Sequence, residues 1–313
     1  MVTLALSAAT APSTRPPFDA LLLSFTGASR PIMQQYADVL HLAGALRIAF
    51  SLPTAWQLGV SEAFTSGVAA AAAEALGGEL PVLICVFSDG GAMQYRMLHK
   101  ALWGGASGSA EPPAALAAFR ERVFGVAFDS SPSPNRALNM APGLAELMGG
   151  GRAWVSALLE LPLLLGTSLQ MHVLTDRQGD WPLPILGARA PNVPHLFMIG
   201  ELDPLTPPEH VAAVLAARRG ALDGGSAAGA PPPSRVTYAG FPTASHLELL
   251  SKDPRHYEVT LLAFVDALFA EMIFAPKDLS SRIRCPTANA TDPLQNPRNK
   301  NAKIDAREKN NSF

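Results

Sequence analysis

The sequence predicts an α/β protein whose mostly parallel central sheet is covered by helices on both faces. Two observations carry this expectation. Segments of strand and helix character alternate through residues 19–133 and again through 194–274, and such alternation builds parallel βαβ units. The run Leu80–Phe87, LPVLICVF, is β-rich and has no polar–apolar alternation, which is how a strand buried on both faces reads. It passes directly into Ser88, Asp89, Gly90 and Gly91, after which Met93, Arg96, Met97 and Lys100 recur at helical spacing. A central strand therefore turns sharply into a helix, with a serine at the bend.

Taken in order, residues 1–18 carry an apolar patch at Val2–Leu6 that is too short for a signal-peptide core and has no basic start. A disordered leader is expected there, with a transit peptide as the alternative. Asp19–Thr26 reads as a strand ending in Gly27-Ala28-Ser29, and Ile32, Met33, Tyr36, Val39 and Leu40 mark the helix that follows. Leu46–Ser51 is the next strand, stopped by Pro53, and an alanine-rich helix over Ser61–Leu76 is closed by Gly77-Gly78. After the serine bend, a loop around Gly104–Pro113 leads to a helix at Ala114–Arg122. A strand at Val123–Phe128 then ends in Asp129-Ser130-Ser131-Pro132.

Between 134 and 193 the alternation breaks, and the chain is expected to leave the sheet in a helical, apolar cap insertion. Its most apolar part, Trp154–Leu174, approaches the length of about 20 residues that a membrane span needs. Glu160, Pro162, Gly166, Gln170 and His172 interrupt it, and a carboxylate in mid-span is costly. A cap is the preferred reading, with a membrane span or surface attachment as the alternative. Alternation resumes with a strand at His195–Ile199, the turn Gly200-Glu201-Leu202-Asp203-Pro204, and a helix opened by Pro207-Pro208. Leu222–Ser234 is a flexible insertion, Arg235–Ala239 the last strand, Thr243-Ala244-Ser245-His246 the loop after it, and Tyr257–Phe274 a closing helix. Residues 275–313 are polar and expected to be disordered.

Composition excludes several classes. A net charge of -2 and a charged fraction of 16% leave no basic stripe for nucleic acid and no electrostatic pull toward an anionic surface. Two cysteines, Cys85 within the strand and Cys285 in the polar tail, form neither a disulfide framework nor a zinc site. No metal or organic cofactor is implied, and a reducing, intracellular setting is expected.

Three strand ends offer Ser88, Asp203 and His246, in the chain order serine, acid, histidine that α/β-hydrolases use. A serine hydroxyl is a poor nucleophile until an imidazole takes its proton, and a carboxylate fixes the imidazole tautomer and stabilises its cation. The oxyanion donors expected are the backbone N–H of Asp89 and that of Ala28, in the turn after the first strand. Each member also has a plainer reading: Ser88 as a helix N-cap, Asp203 as a turn residue, His246 as a cap of the next helix. Their conjunction at successive strand ends favours the triad. Asp129 also ends a strand on the correct side and is the alternative acid. His99, His172, His195, His210 and His256 are read as structural. Val86 stands where G-x-S-x-G has its first glycine, so its side chain must fit beneath the bend.

The segments CVFSDGGAMQYR, FDSSP, Gly-Glu-Leu-Asp-Pro and TASHLELLSKDPRHYEVTLLAFVDAL resemble the family of transmembrane protein 53 and the fungal indole-diterpene biosynthesis protein PaxU, from about Leu21 to Phe269. The resemblance implies an α/β-hydrolase fold, supports Ser88, Asp203 and His246 as the triad, and makes valine at position 86 a habit of the family.

The sequence reading is a serine hydrolase of esterase, thioesterase or amidase type acting on a small to medium, mostly apolar substrate. Through PaxU, the resemblance adds a role in secondary-metabolite biosynthesis. The alternative is a non-catalytic protein of the same fold associated with an endomembrane, at the nuclear envelope or the endoplasmic reticulum, through Trp154–Leu174. Location therefore stays open between cytoplasm and endomembrane.

Overall fold

The computed structural model describes residues 4–9, 13–25, 27–53, 62–104, 112–132, 141, 145, 152–169, 186, 191, 193–223 and 236–274. Its strands are β1 (Ala5–Ala8), β2 (Phe18–Leu23), β3 (Ala45–Phe50), β4 (Val82–Phe87), β5 (Val123–Asp129), β6 (His195–Gly200) and β7 (Val236–Phe241). They form a seven-stranded sheet in the order β1-β3-β2-β4-β5-β6-β7. Every pairing is parallel except that of β1, which runs antiparallel along β3. The helices are α1 (Arg30–Leu42), α2 (Glu62–Ala75), α3 (Ser88–Trp103), α4 (Ala114–Arg122), α5 (Ala153–Leu169), α6 (Pro208–Asp223), the short α7 (Leu249–Lys252) and α8 (Pro254–Phe274).

Both faces of the sheet are apolar because successive side chains of a strand point to opposite sides. Leu83, Cys85 and Phe87 of β4 join Met33 and Tyr36 of α1 and Tyr257, Leu261 and Phe264 of α8 on one face. Val82, Ile84 and Val86 join Val68 and Ala72 of α2, Tyr95 and Leu98 of α3, Phe119 of α4 and Val214 of α6 on the other. All six β4 residues are buried, which explains the unbroken apolar run in the sequence. One charge is sunk at the N-terminal edge of the sheet. Asp19 on β2 is fully buried and takes a two-point hydrogen bond from Arg47 of β3, Nε to Oδ1 at 3.0 Å and Nη2 to Oδ2 at 2.5 Å. A buried carboxylate is tolerated when it is paired in this way.

Two expectations need correction. The leader is not wholly disordered, because Ala5–Ala8 forms the antiparallel edge strand on β3. Such pairing uses backbone groups, so four residues of small and apolar type suffice. The last strand is described over Val236–Phe241, two residues further than Ala239, with Arg235 outside the described residues. Of the insertion 134–193, α5 is the main described part. It spans 17 residues, contains Pro162, and turns Trp154, Leu158, Leu161 and Leu165 outward. Among the described residues no helix is long and apolar enough to cross a membrane. Residues 170–174 of the apolar segment, the surface insertion from 224, and the tail 275–313 lie outside the described residues.

Candidate active site

Four neighbouring parallel strands deliver the site at their C-terminal ends. β4 runs straight into α3 at Ser88, whose φ of 53° lies in the left-handed region. For a residue with a Cβ that conformation is uncommon and strained, and here it lifts the hydroxyl off the sheet. Val86 causes no conflict at the bend, being fully buried in the core beneath α3 with Ala92 and Tyr95. The glycine that the tight turn needs is Gly91, where an added Cβ would overlap the backbone carbonyl of Leu23. Helix α3 can therefore approach β2 only with glycine at that position.

The acid and the imidazole come from two interlocked loops. After β6, the Glu201 N–H donates to Phe241 O at 3.0 Å and the Leu202 N–H to Ala244 O at 3.2 Å. Gly200 sits so close to Ala244 that a Cβ would overlap the Ala244 carbonyl. Within this clasp Asp203 Oδ1 accepts the N–H groups of Leu205 at 2.8 Å and Thr206 at 2.9 Å. Its Oδ2 lies 2.8 Å from His246 Nδ1, and His246 Nε2 lies 2.6 Å from Ser88 Oγ. The His246 side chain is 5% exposed and that of Asp203 is fully covered.

The direction of each bond follows from chemistry. An ionised carboxylate only accepts, so His246 Nδ1 carries the hydrogen. Nε2 is left with a lone pair facing Ser88 Oγ, which donates. Burial works to lower the basicity of His246. The Asp203 hydrogen bond and the negative charges of Asp203, Asp89 and Asp129 outweigh it, so the imidazole pKa is raised above its ordinary value of 6.5.

The two expected oxyanion donors fare differently. Asp89 belongs to the first turn of α3, next to Ser88 and at the positive end of the helix dipole. Ala28 does not fill the role, because its N–H already donates to Phe25 O at 3.1 Å and closes the turn after β2.

Asp129, the alternative acid, ends β5 and is buried at 1% exposure. It makes no hydrogen bond to His246; its Oδ1 instead accepts the Ser130 hydroxyl at 2.9 Å. Burial pushes this carboxyl up to about 7, against the pull of Ser130, the Tyr257 hydroxyl and His246. Sequence reasoning missed Ser130. It is fully buried at φ 52°, and its Oγ accepts the Leu247 N–H at 3.0 Å. The tripeptide Asp129-Ser130-Ser131 at a strand end was the available signal. His195 is structural as expected, starting β6 at the opposite end of the sheet, with Nδ1 donating to Val193 O at 2.7 Å.

No protein-family model and no curated protein matches the chain. Solved structures do. The propionate-bound esterase 2 of Thermogutta terrifontis is similar with a TM-score of 0.51 and 15% identity, over 88% of this chain and 91% of that one. Its apo form gives 0.50 and 16%, over 88% and 92%. A monoacylglycerol lipase from Paleococcus ferrophilus gives 0.48 and 16%, over 85% and 99%. At these identities the two esterase 2 matches establish the fold alone, and with the sheet order above it is that of the α/β-hydrolases. The resemblance to the transmembrane protein 53 and PaxU family gains no support from these matches and rests on the motifs.

Proposed function

We propose that this protein is a serine hydrolase acting on a small to medium, mostly apolar ester, thioester or amide. The observation that carries the reading is the unbroken hydrogen-bond chain from Ser88 Oγ through His246 to Asp203, at 2.6 and 2.8 Å, built on a left-handed serine. Ser88 Oγ attacks the acyl carbon while its proton passes to His246 Nε2, and the new imidazolium is stabilised by Asp203. The oxyanion is received by the N–H of Asp89. His246 then protonates the leaving group, and water, deprotonated by the same nitrogen, releases the acyl group from Ser88. The preference for an apolar substrate rests on the apolar composition of the insertion in the sequence. Membership of secondary metabolism rests on the motif resemblance alone.

A fluorophosphonate probe should label the wild type at Ser88 and leave Ser88→Ala unlabelled, read by intact mass and peptide mapping. A folded wild type that resists the probe overturns the reading. The second reading would then stand: a non-catalytic protein that contacts a membrane or partner through Trp154, Leu158, Leu161 and Leu165, which α5 exposes on one side.

A further inference from the structure

The triad accounts for three of the four strand ends at the site; β5 ends in Asp129 and Ser130, whose hydrogen bonds go neither to Ser88 nor to His246 but reach the residue beside it. Leu247 directly follows His246 and has φ 60°, a left-handed bend that an L side chain rarely adopts. A strained bend persists only when its surroundings hold it. The Leu247 N–H is held by Ser130 Oγ at 3.0 Å, and the Ser130 hydroxyl is itself held by Asp129 Oδ1 at 2.9 Å. Ser130 is anchored in turn by its own backbone, its N–H donating to Met198 O at 3.0 Å and its carbonyl accepting the Thr206 hydroxyl at 3.0 Å. Thr206 lies three residues beyond Asp203, whose Oδ1 accepts its N–H at 2.9 Å. One serine thus ties the histidine loop to the acid loop.

Building on the serine-hydrolase reading, we infer that Asp129 and Ser130 are a positioning pair for His246, with the Ser130 hydroxyl fixing the bend at Leu247 and the Asp129 carboxyl fixing that hydroxyl. A hydroxyl has one hydrogen to give. Because a carboxylate takes it, the oxygen lone pairs of Ser130 are presented to the Leu247 N–H. An apolar residue at 129 would release the hydroxyl to rotate. The Asp129 charge also acts on the imidazole through space and favours its cation. The groups facing Asp129 are Cys85 from β4, Tyr36 from α1, Tyr257 from α8, Ser130, and His246 and Asp203 from the two loops. Those facing His246 are Asp203, Asp89 and Asp129.

Ser130→Gly is the decisive variant, because glycine adopts φ 52° without strain while losing the hydroxymethyl group that holds the Leu247 N–H. It should fold, keep KM within a few-fold, and lose about a hundredfold in kcat, the size of effect that a small misplacement of a catalytic group produces. Asp129→Asn keeps an acceptor for Ser130 but removes the charge, and should shift the acidic limb of kcat/KM to lower pH. Both are read independently by proton and nitrogen NMR of His246. The Nδ1–H resonance should broaden or move in Ser130→Gly, and the imidazole pKa should fall in Asp129→Asn. Unchanged kcat and an unchanged Nδ1–H resonance in a folded Ser130→Gly protein overturn the inference. Loss of probe labelling in the wild type would instead strike at the hydrolase reading, while the NMR measurement would still decide whether the pair positions His246.

Discussion

Replacing Asp203 by asparagine tests the site most sharply, because the structure dictates how the new amide must lie. Asp203 Oδ1 accepts two backbone N–H groups, from Leu205 and Thr206, whereas Oδ2 meets only His246 Nδ1. An asparagine with its NH2 toward the backbone would leave two buried N–H donors facing a donor, at about 1–3 kcal/mol each. Turned the other way it disturbs a single contact. The amide oxygen therefore keeps the backbone pair, and the NH2 faces His246. A donor there forces Nδ1 to accept, so the imidazole hydrogen moves to Nε2, the atom that must take the Ser88 proton. The fold survives and the base is lost. Wrong-tautomer loss of this kind is roughly 10⁴-fold in kcat, which at about 1.4 kcal/mol per tenfold is about 5 kcal/mol of barrier. The assay is hydrolysis of a short-chain p-nitrophenyl ester alongside the rate of fluorophosphonate labelling, with circular dichroism to verify the fold. An Asp203→Asn protein retaining more than a tenth of wild-type kcat would refute the tautomer argument and with it the role of Asp203.

Two further outcomes follow from the core beneath the site. The Asp129 carboxyl, raised by burial from 3.8 to about 7, favours the folded state when protonated. Its contribution is complete below about pH 4 and is lost as pH rises through about 7, a swing of roughly 4 kcal/mol at 1.36 kcal/mol per unit. Urea unfolding at pH 4 and pH 8 should show the wild type losing stability relative to Asp129→Asn over that interval, and parallel curves would contradict the buried charge. Gly91→Ala places a methyl group against the Leu23 backbone carbonyl, so α3 must shift. The unfolding midpoint should drop by the equivalent of about 1–3 kcal/mol, as overpacking does, and an unchanged midpoint would show that the approach of α3 to β2 is not tight.

The parts of this fold that the sequence makes legible are those written in side chains. β4 is readable because burial on both faces demands six apolar residues in a row. Ser88, Asp203 and His246 are readable because nucleophile, base and acid need particular functional groups, and each follows a strand. What escapes is written in the backbone. Ser130 and Leu247 take left-handed conformations that their identities do not advertise, since glycine is the residue that signals such a bend. Edge strand β1 escapes for a related reason, as its ladder with β3 is made by peptide groups. Gly91 was visible as one glycine of a pair, but only the contact with Leu23 separates a required glycine from a permitted one. Ala28 was misassigned because a turn of the right place and composition does not reveal that its N–H closes the turn itself.

Among the described residues three non-glycine residues have positive φ, Ser88, Ser130 and Leu247; Ser88 meets His246 directly and the other two meet at the residue after it, and what each side chain does explains why glycine does not stand there. Each such conformation costs on the order of 1–3 kcal/mol, which glycine would avoid. Ser88 and Ser130 must keep their hydroxyls, and the Leu247 side chain packs against the core formed by α1, α8 and one face of the sheet. The histidine is thereby bracketed along its own chain. On one side Ala244 is clasped to Leu202, and on the other Leu247 is pinned by Ser130. Since β4, β5, β6 and β7 are successive neighbours in the sheet and lead in turn to Ser88, Ser130, Asp203 and His246, strand register sets where these four side chains stand relative to one another.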